Sequence, residues 1–222
     1  ENKHKWVLDP VAAGLGSMRS DAIKYFKDKN PSIIRANASE ILALAEMWDL
    51  EKNSKNIVRG VEACDEVDEA KEAAIAIARH TGGVVAISGE VDLITDGKII
   101  ARSFGGSNMM ETITGAGCSL GGVCAIYECV TDSFTAALTA TQIYNLAGKV
   151  ASKKSNGPAN FEREFLDSLY NLSSEDIANR AFNSMKHSNR AIWSNITHAG
   201  MNILVDIESD EEKKKSYEDE LK

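Results

Sequence analysis

The residues best suited to chemistry in this 222-residue chain gather in Thr112–Val130, TITGAGCSLGGVCAIYECV, which holds four glycines and three cysteines. Small residues at Gly115, Ala116 and Gly117 let backbone come close to a ligand. The amides that open the following helix, with the positive end of its dipole, suit an anion such as a phosphate. Such an anion hole also favours the charge that develops on a transferring phosphoryl group. A tight strand-to-helix turn would use the same glycines for packing alone, and short glycine motifs do not discriminate between the two. Cys118 stands where the glycines stop. A thiol at a helix N-terminus has its thiolate favoured, and it is placed to take a proton from a substrate hydroxyl. A small residue tolerated at a helix start is the plainer account of the same position.

Other polar clusters also follow apolar strands: Asp9 after WVL, Arg35 to Glu40 after SII, and Ser88-Gly89-Glu90 after VVAI. In open α/β sheets ligands bind beyond the carboxyl ends of the strands, so one rim would collect all four clusters. Asn37 and Glu40, at i and i+3, read as the two halves of a capping box. Their functional reading gives Glu40 a place in a magnesium–phosphate network, where hard oxygen ligands and water are expected. Asp9 at a strand end suits the same ion, although Asp-Pro also begins turns. Arg35 suits a nucleotide phosphate or a surface ion pair. His80 reads as a C-terminal helix residue. With no Cys-x-x-Cys pair or zinc spacing, Cys124 and Cys129 read as buried thiols in an apolar helix.

The elements that must position these groups alternate. KWVLDPV (5–11) reads as a strand, and Ser20 as the N-cap of the helix DAIKYFKDK. SIIRAN (32–37) is a strand before the helix ASEILALAEMW. A loop starts at Arg59-Gly60, and DEVDEAKEAAIAIARHTGG is a helix stopped by Gly82-Gly83. VVAISGEVD (84–92) reads as one buried strand, LITDGKIIARSF as a hairpin turning at Asp96-Gly97, and METITG as a strand. Helices then dominate, ending in SSEDIANRAF with a capping-box look. The pattern predicts an α/β protein with a mainly parallel sheet flanked by helices.

Composition is that of a globular chain, 43% hydrophobic and 26% charged, without an apolar run long enough to span a bilayer. No secretory leader is evident, and the expected compartment is a reducing cytoplasm. A net charge of −8 argues against nucleic acid as a partner. Of that charge, −4 falls in residues 206–222, where eight acids meet four lysines. Residues 183–222 lose periodicity and are expected to form an atypical, partly disordered tail.

The order WVLDPVAAG, IIRANASEI, RGVEA, VVAISGEVDLITDG, TITGAGCSLGG and NGPANFEREFLDSLYNL resembles the hydroxyethylthiazole kinases of the ribokinase-like superfamily. The resemblance runs from Lys5 to Phe182, making 1–182 a ribokinase-like domain. It implies ATP-dependent phosphorylation of the hydroxyl of 4-methyl-5-(2-hydroxyethyl)thiazole, with Mg²⁺, in a homotrimer whose sites lie between subunits. It places Arg35 and Ser88 at ATP, Gly115 at the thiazole, Cys118 as catalytic base, and Asp9 and Glu40 at Mg²⁺ and phosphate. The family usually has Thr at the position of Ser88. Sugar-kinase relatives typically carry aspartate where TGAGC has cysteine. The family's earlier strands, with an asparagine-rich stretch and a methionine of the thiazole pocket, have no counterpart before LDPV. The domain is therefore expected to be incomplete at its N-terminus. A nucleotide-binding remnant without activity and another ribokinase-like kinase, for a pyrimidine or sugar, are the alternatives.

Overall fold

A computed structural model describes residues 4–50, 66–173, 175–176 and 204–206. The elements run β1 (Val7–Leu8), α1 (Ser17–Tyr25), β2 (Ile33–Asn37), α2 (Ala38–Met47), α3 (Glu66–Thr81), β3 (Val84–Ser88), β4 (Val91–Thr95) and β5 (Ile100–Phe104). A short 3₁₀ helix (Asn108–Thr112) leads to α4 (Ala116–Glu128), α5 (Ser133–Ser152), α6 (Pro158–Asn171) and β6 (Leu204–Asp206). The six strands lie side by side in chain order. β1, β2 and β3 are parallel neighbours, whereas β4, β5 and β6 add as antiparallel strands. β1, β2, β3 and β5 therefore run in one direction, and the sheet is mixed.

Alternation along each strand splits the apolar side chains between two cores. Ile34, Val85, Ile87, Leu93 and Ile100 pack with Ile41 and Leu44 of α2, Trp48 just after it, and Ile77 of α3. Ile33, Val84, Ala86, Ile94 and Ala101 face the other way, onto Leu120, Cys124, Tyr144, Phe161 and Phe165 of α4, α5 and α6. The result is an α/β/α sandwich. Its three parallel strands end at the clusters Asp9, Arg35–Asn37 and Ser88, which lie on or next to the face that α4 and α5 cover.

Local chemistry sets the boundaries, and several differ from the sequence expectation. The first strand shortens to two residues because Pro10 lacks an amide for the ladder and its carbonyl instead accepts from Ala13 N at 2.9 Å. Helix α1 starts at Ser17, so Ser20 is not its cap; the Ser20 hydroxyl donates to Gly16 O at 2.8 Å inside the helix. VVAISGEVD is two strands, because Asp92 Oδ1 accepts from Gly89 N at 3.1 Å and folds the chain into a turn. The next hairpin connects through 96–99 rather than two residues, since Asp96 Oδ1 accepts from both Lys98 N and Ile99 N. METITG enters a 3₁₀ helix instead of a strand; Ser107 Oγ accepts from Met109 N and starts it. Gly82, at φ +66°, follows the last residue of α3 as expected, and Asp132 caps α5 by accepting from Thr135 N at 2.9 Å. Cys64 and the RGVEA segment lie outside the described residues. So does the 183–222 segment apart from 204–206, which pair with β5.

Candidate active site

Arg35 is the hub. It sits on β2 and is 9% exposed. Its Nε and Nη2 donate to Ser88 Oγ at 3.3 and 2.9 Å, and its Nη1 stands 3.5 Å from Asp9 Oδ2. The guanidinium also lies against the first turn of α4: a Cβ on Gly117 would be 2.6 Å from Nη1. A side chain there would oblige the guanidinium to shift. Gly115, at φ +87°, makes the left-handed turn into α4 that an L side chain resists. A cation and a helix N-terminus thus meet at one point. The amides of Ala116, Gly117 and Cys118 open the helix and are donors without an acceptor inside it. The two effects add in favouring an anion.

Asp9 faces the same Nη1 that lies against Gly117. Asp9 follows β1, and both its carboxylate oxygens are out of solvent with no hydrogen-bond partner. Gly121 of α4 packs on it, since a Cβ there would lie 3.3 Å from Oδ2. Burial raises the Asp9 pKa above its ordinary value, with Glu40's charge pushing the same way and Arg35 opposing. Glu40 is the anticipated capping partner of Asn37: Asn37 Oδ1 accepts from Glu40 N at 2.8 Å, and Glu40 Oε2 accepts from Asn37 N at 2.9 Å. Its other oxygen accepts from Ala12 N at 2.9 Å, tying the turn after β1 to α2. Among the described residues no group of three or more His, Cys, Asp or Glu gathers as a self-sufficient metal site. Magnesium does not need one, because it keeps waters and substrate phosphates around one or two carboxylates. The Asp9 carboxylate, ion-paired with Arg35 but with no hydrogen bond to its buried oxygens, fits that demand.

Cys118 is exposed and is the third residue of α4. Beside it, Ser119 Oγ donates to Gly115 O at 2.8 Å and is hydrogen-bonded to the hydroxyl of Tyr144 on α5. Cys124 is fully buried, and burial pushes its thiol up to about 12. Cys129, expected to be buried with it, is exposed at the C-terminal end of α4, where its Sγ donates to Ala125 O. The helix turns its neighbour out of the core because positions 124 and 129 fall on different faces at 3.6 residues per turn. His80 lies at the end of α3 as read, near Lys27 O and Asp28.

The structure therefore brings Asp9, Arg35, Ser88 and Gly117 together, with Glu40 linked through the turn after β1 and Gly115, Ala116 and Cys118 on the α4 opening. Sequence reasoning missed Tyr144 and a buried polar group of Asp92, Ser103, Gln142 and Asn145 beside it. The available signal was an acid inside the apolar run VDLIT and two amides three apart on an otherwise apolar helix.

Strand ends converging under a helix N-terminus form the ligand site of an open α/β sheet, here of ribokinase-like type. The same fold appears in the pyridoxal kinase of Staphylococcus aureus solved with ADP, at a TM-score of 0.50 and 19% identity over 67% of this chain and 53% of that one. A solved hydroxyethylthiazole kinase protein of Pyrococcus horikoshii superposes with a TM-score of 0.66 at 25% identity, over 78% of this chain and 62% of that one. The hydroxyethylthiazole kinase family model matches residues 1–175, and the chain belongs to that family. It is 50% identical over 185 residues to the hydroxyethylthiazole kinase of Bifidobacterium animalis subsp. lactis, covering 78% of this chain and 61% of the relative. It is 38% identical over 177 residues to that of Akkermansia muciniphila, covering 79% and 63%. The chain spans about three fifths of the length of the curated relatives it matches.

Proposed function

We propose that this chain carries the phosphoryl-transfer site of a hydroxyethylthiazole kinase, moving the γ-phosphate of ATP to the primary alcohol of 4-methyl-5-(2-hydroxyethyl)thiazole. The observation that carries the reading is the Arg35 guanidinium, shared between Ser88 and Asp9 and lying on Gly117 at the start of α4. Arg35 and Ser88 hold the ATP phosphates, and the amides of Gly115, Ala116 and Gly117 receive the transferring group. Gly115 contacts the thiazole. As the alcohol oxygen bonds to the γ-phosphorus and the bond to ADP breaks, Cys118 takes the alcohol proton as its base. Asp9 and Glu40 would hold Mg²⁺, which when bound neutralises phosphate charge. Positioning and charge do most of the work in such a transfer, so one weak base suffices.

Product formation from ATP and hydroxyethylthiazole tests the assignment. Cys118→Ser should lower kcat by about 100-fold or more, the usual contribution of a general base, with little change in ATP affinity. Full activity in Cys118→Ser would remove the assigned role. A second reading is nucleotide binding without turnover. ATP binding without product would select it.

Assembly as a homotrimer in the cytoplasm completes the proposal. Exposed apolar side chains support assembly: Leu15 is 70% exposed, Met18 86% and Tyr170 89%. No described helix is long and apolar enough to cross a membrane. Light scattering at micromolar concentration measures the oligomer.

A further inference from the structure

The site as proposed leaves a buried polar group beside it unused. Asp92 on β4, Ser103 on β5, and Gln142 and Asn145 on α5 are all buried. Asp92 and Ser103 are paired across the two strands. Asn145 Nδ2 donates to Asp92 Oδ2 at 2.7 Å and to Ser103 Oγ at 2.8 Å, and Gln142 Nε2 donates to the same Ser103 Oγ at 2.8 Å. The group reaches the β3–β4 turn through Asp92, whose Oδ1 accepts from Gly89 N at 3.1 Å. Gly89 follows Ser88, the acceptor of Arg35, in the turn between β3 and β4. The turn is confined from its other side, since a Cβ on Gly89 would lie 2.3 Å from Val67 Cγ2 of α3.

We infer that Asp92, locked by Asn145, is a positioning residue for nucleotide binding: it fixes the β3–β4 turn so that Ser88 keeps the Arg35 guanidinium against the start of α4. The inference rests on the nucleotide site proposed above. The chain of contacts is continuous, from Asn145 through Asp92 to Gly89, then Ser88, then Arg35. An isolated structural bond would be an expensive use of an acid. Burial raises the Asp92 pKa to about 6, with Asn145, Gly89 and Arg35 opposing the shift. An apolar pair would fill the same space without that desolvation cost. What the carboxylate offers, and an apolar side chain does not, is two acceptors aimed at two donors on different elements.

That polarity makes the inference testable. In Asp92→Asn the new amide nitrogen must face either Gly89 N or Asn145 Nδ2, donor against donor in both orientations. Asn145→Asp sets carboxylate against carboxylate. The double variant Asp92→Asn/Asn145→Asp reverses the shared bond and restores it, with the Ser103 hydroxyl free to turn and donate. Two quantities are measured on the full chain: the Kd for ATP in the presence of Mg²⁺, and hydrogen exchange at the Gly89 amide. Each single variant should weaken ATP binding and speed Gly89 exchange by about tenfold, and the double variant should recover most of both. Single variants that bind ATP like the wild type overturn the positioning role, as does a double variant that recovers Gly89 protection but not ATP affinity. A wild-type chain protected at Gly89 yet unable to bind ATP overturns the nucleotide site itself.

Discussion

Arg35 shows how one side chain organises three elements. Its head pairs with Asp9 after β1, donates to Ser88 at the end of β3 and supports Gly117 on α4. Each contact is ordinary, and the combination holds a cation under a helix N-terminus. The absent side chain of Gly117 is as important as the cation. Gly117→Ala would put a methyl group 2.6 Å from Nη1, so the guanidinium must move. Because the guanidinium ends a flexible side chain and alanine favours the helix, stability should change by less than about 1 kcal/mol, while ATP affinity falls by about tenfold or more. Urea unfolding and calorimetric titration measure the two separately. Gly122→Ala on the same helix, where a Cβ meets nothing within 4 Å, should leave ATP affinity unchanged. These residue types were legible in the sequence: TGAGC, the arginine after SII and the acid after WVL were all identifiable. The meeting of Arg35 with Gly117 was not, because 82 positions separate them and no local periodicity carries that information.

At the scale of elements, the α2 capping box was readable, whereas the start of α1 and the turn within VVAISGEVD were not. The Asn37–Glu40 box is an i, i+3 pattern that sequence displays directly. The break of VVAISGEVD into two strands depends on Asp92 turning back onto Gly89, and the 3₁₀ helix at 108–112 on a single serine contact. Both regions look like strand by residue type. Helix α4 shows why element packing controls function. Its first turn is braced from α5, where the Tyr144 hydroxyl meets Ser119 Oγ, and Ser119 in turn bonds the Gly115 carbonyl. Tyr144 is held by an edge-on contact with Phe165, ring centroids 5.0 Å apart. Tyr144→Phe keeps that packing and removes only the hydroxyl. The expected loss is about 1 kcal/mol in stability. Because the turn it braces carries the anion-binding amides, the KM for ATP should rise while the melting temperature changes little. An unchanged KM would separate α5 from the site.

For the whole molecule, two buried carboxylates act on stability as pH changes. Burial raises both Asp9 and Asp92 above the ordinary carboxylate value. A raised acid pKa means the native chain holds its proton more tightly than the unfolded chain. The resulting stabilisation is full below the unfolded pKa and is lost as pH rises through the folded one. For Asp92 the window runs from 3.8 to about 6. The stability of the wild type relative to Asp92→Asn should therefore fall across that range and level off above it. Urea midpoints at half-unit pH steps measure this; a parallel pair of curves would contradict it. Asp132 opposes the trend, because its cap to Thr135 lowers its pKa and that contribution is lost on acidification.

The sequence by itself determined most of the alternation of strands and helices, the Asn37–Glu40 capping box and the ordered motifs of the family. All of these are carried by spacing within an element or by residue order along the chain. Only the tertiary structure decided that Cys129 faces solvent while Cys124 is buried, and that Asp92 and Asn145 join across β4 and α5. It alone brought Arg35 beneath Gly117. Such pairings follow from how two faces of one sheet are covered, a long-range packing outcome that neither partner's neighbours in sequence encode.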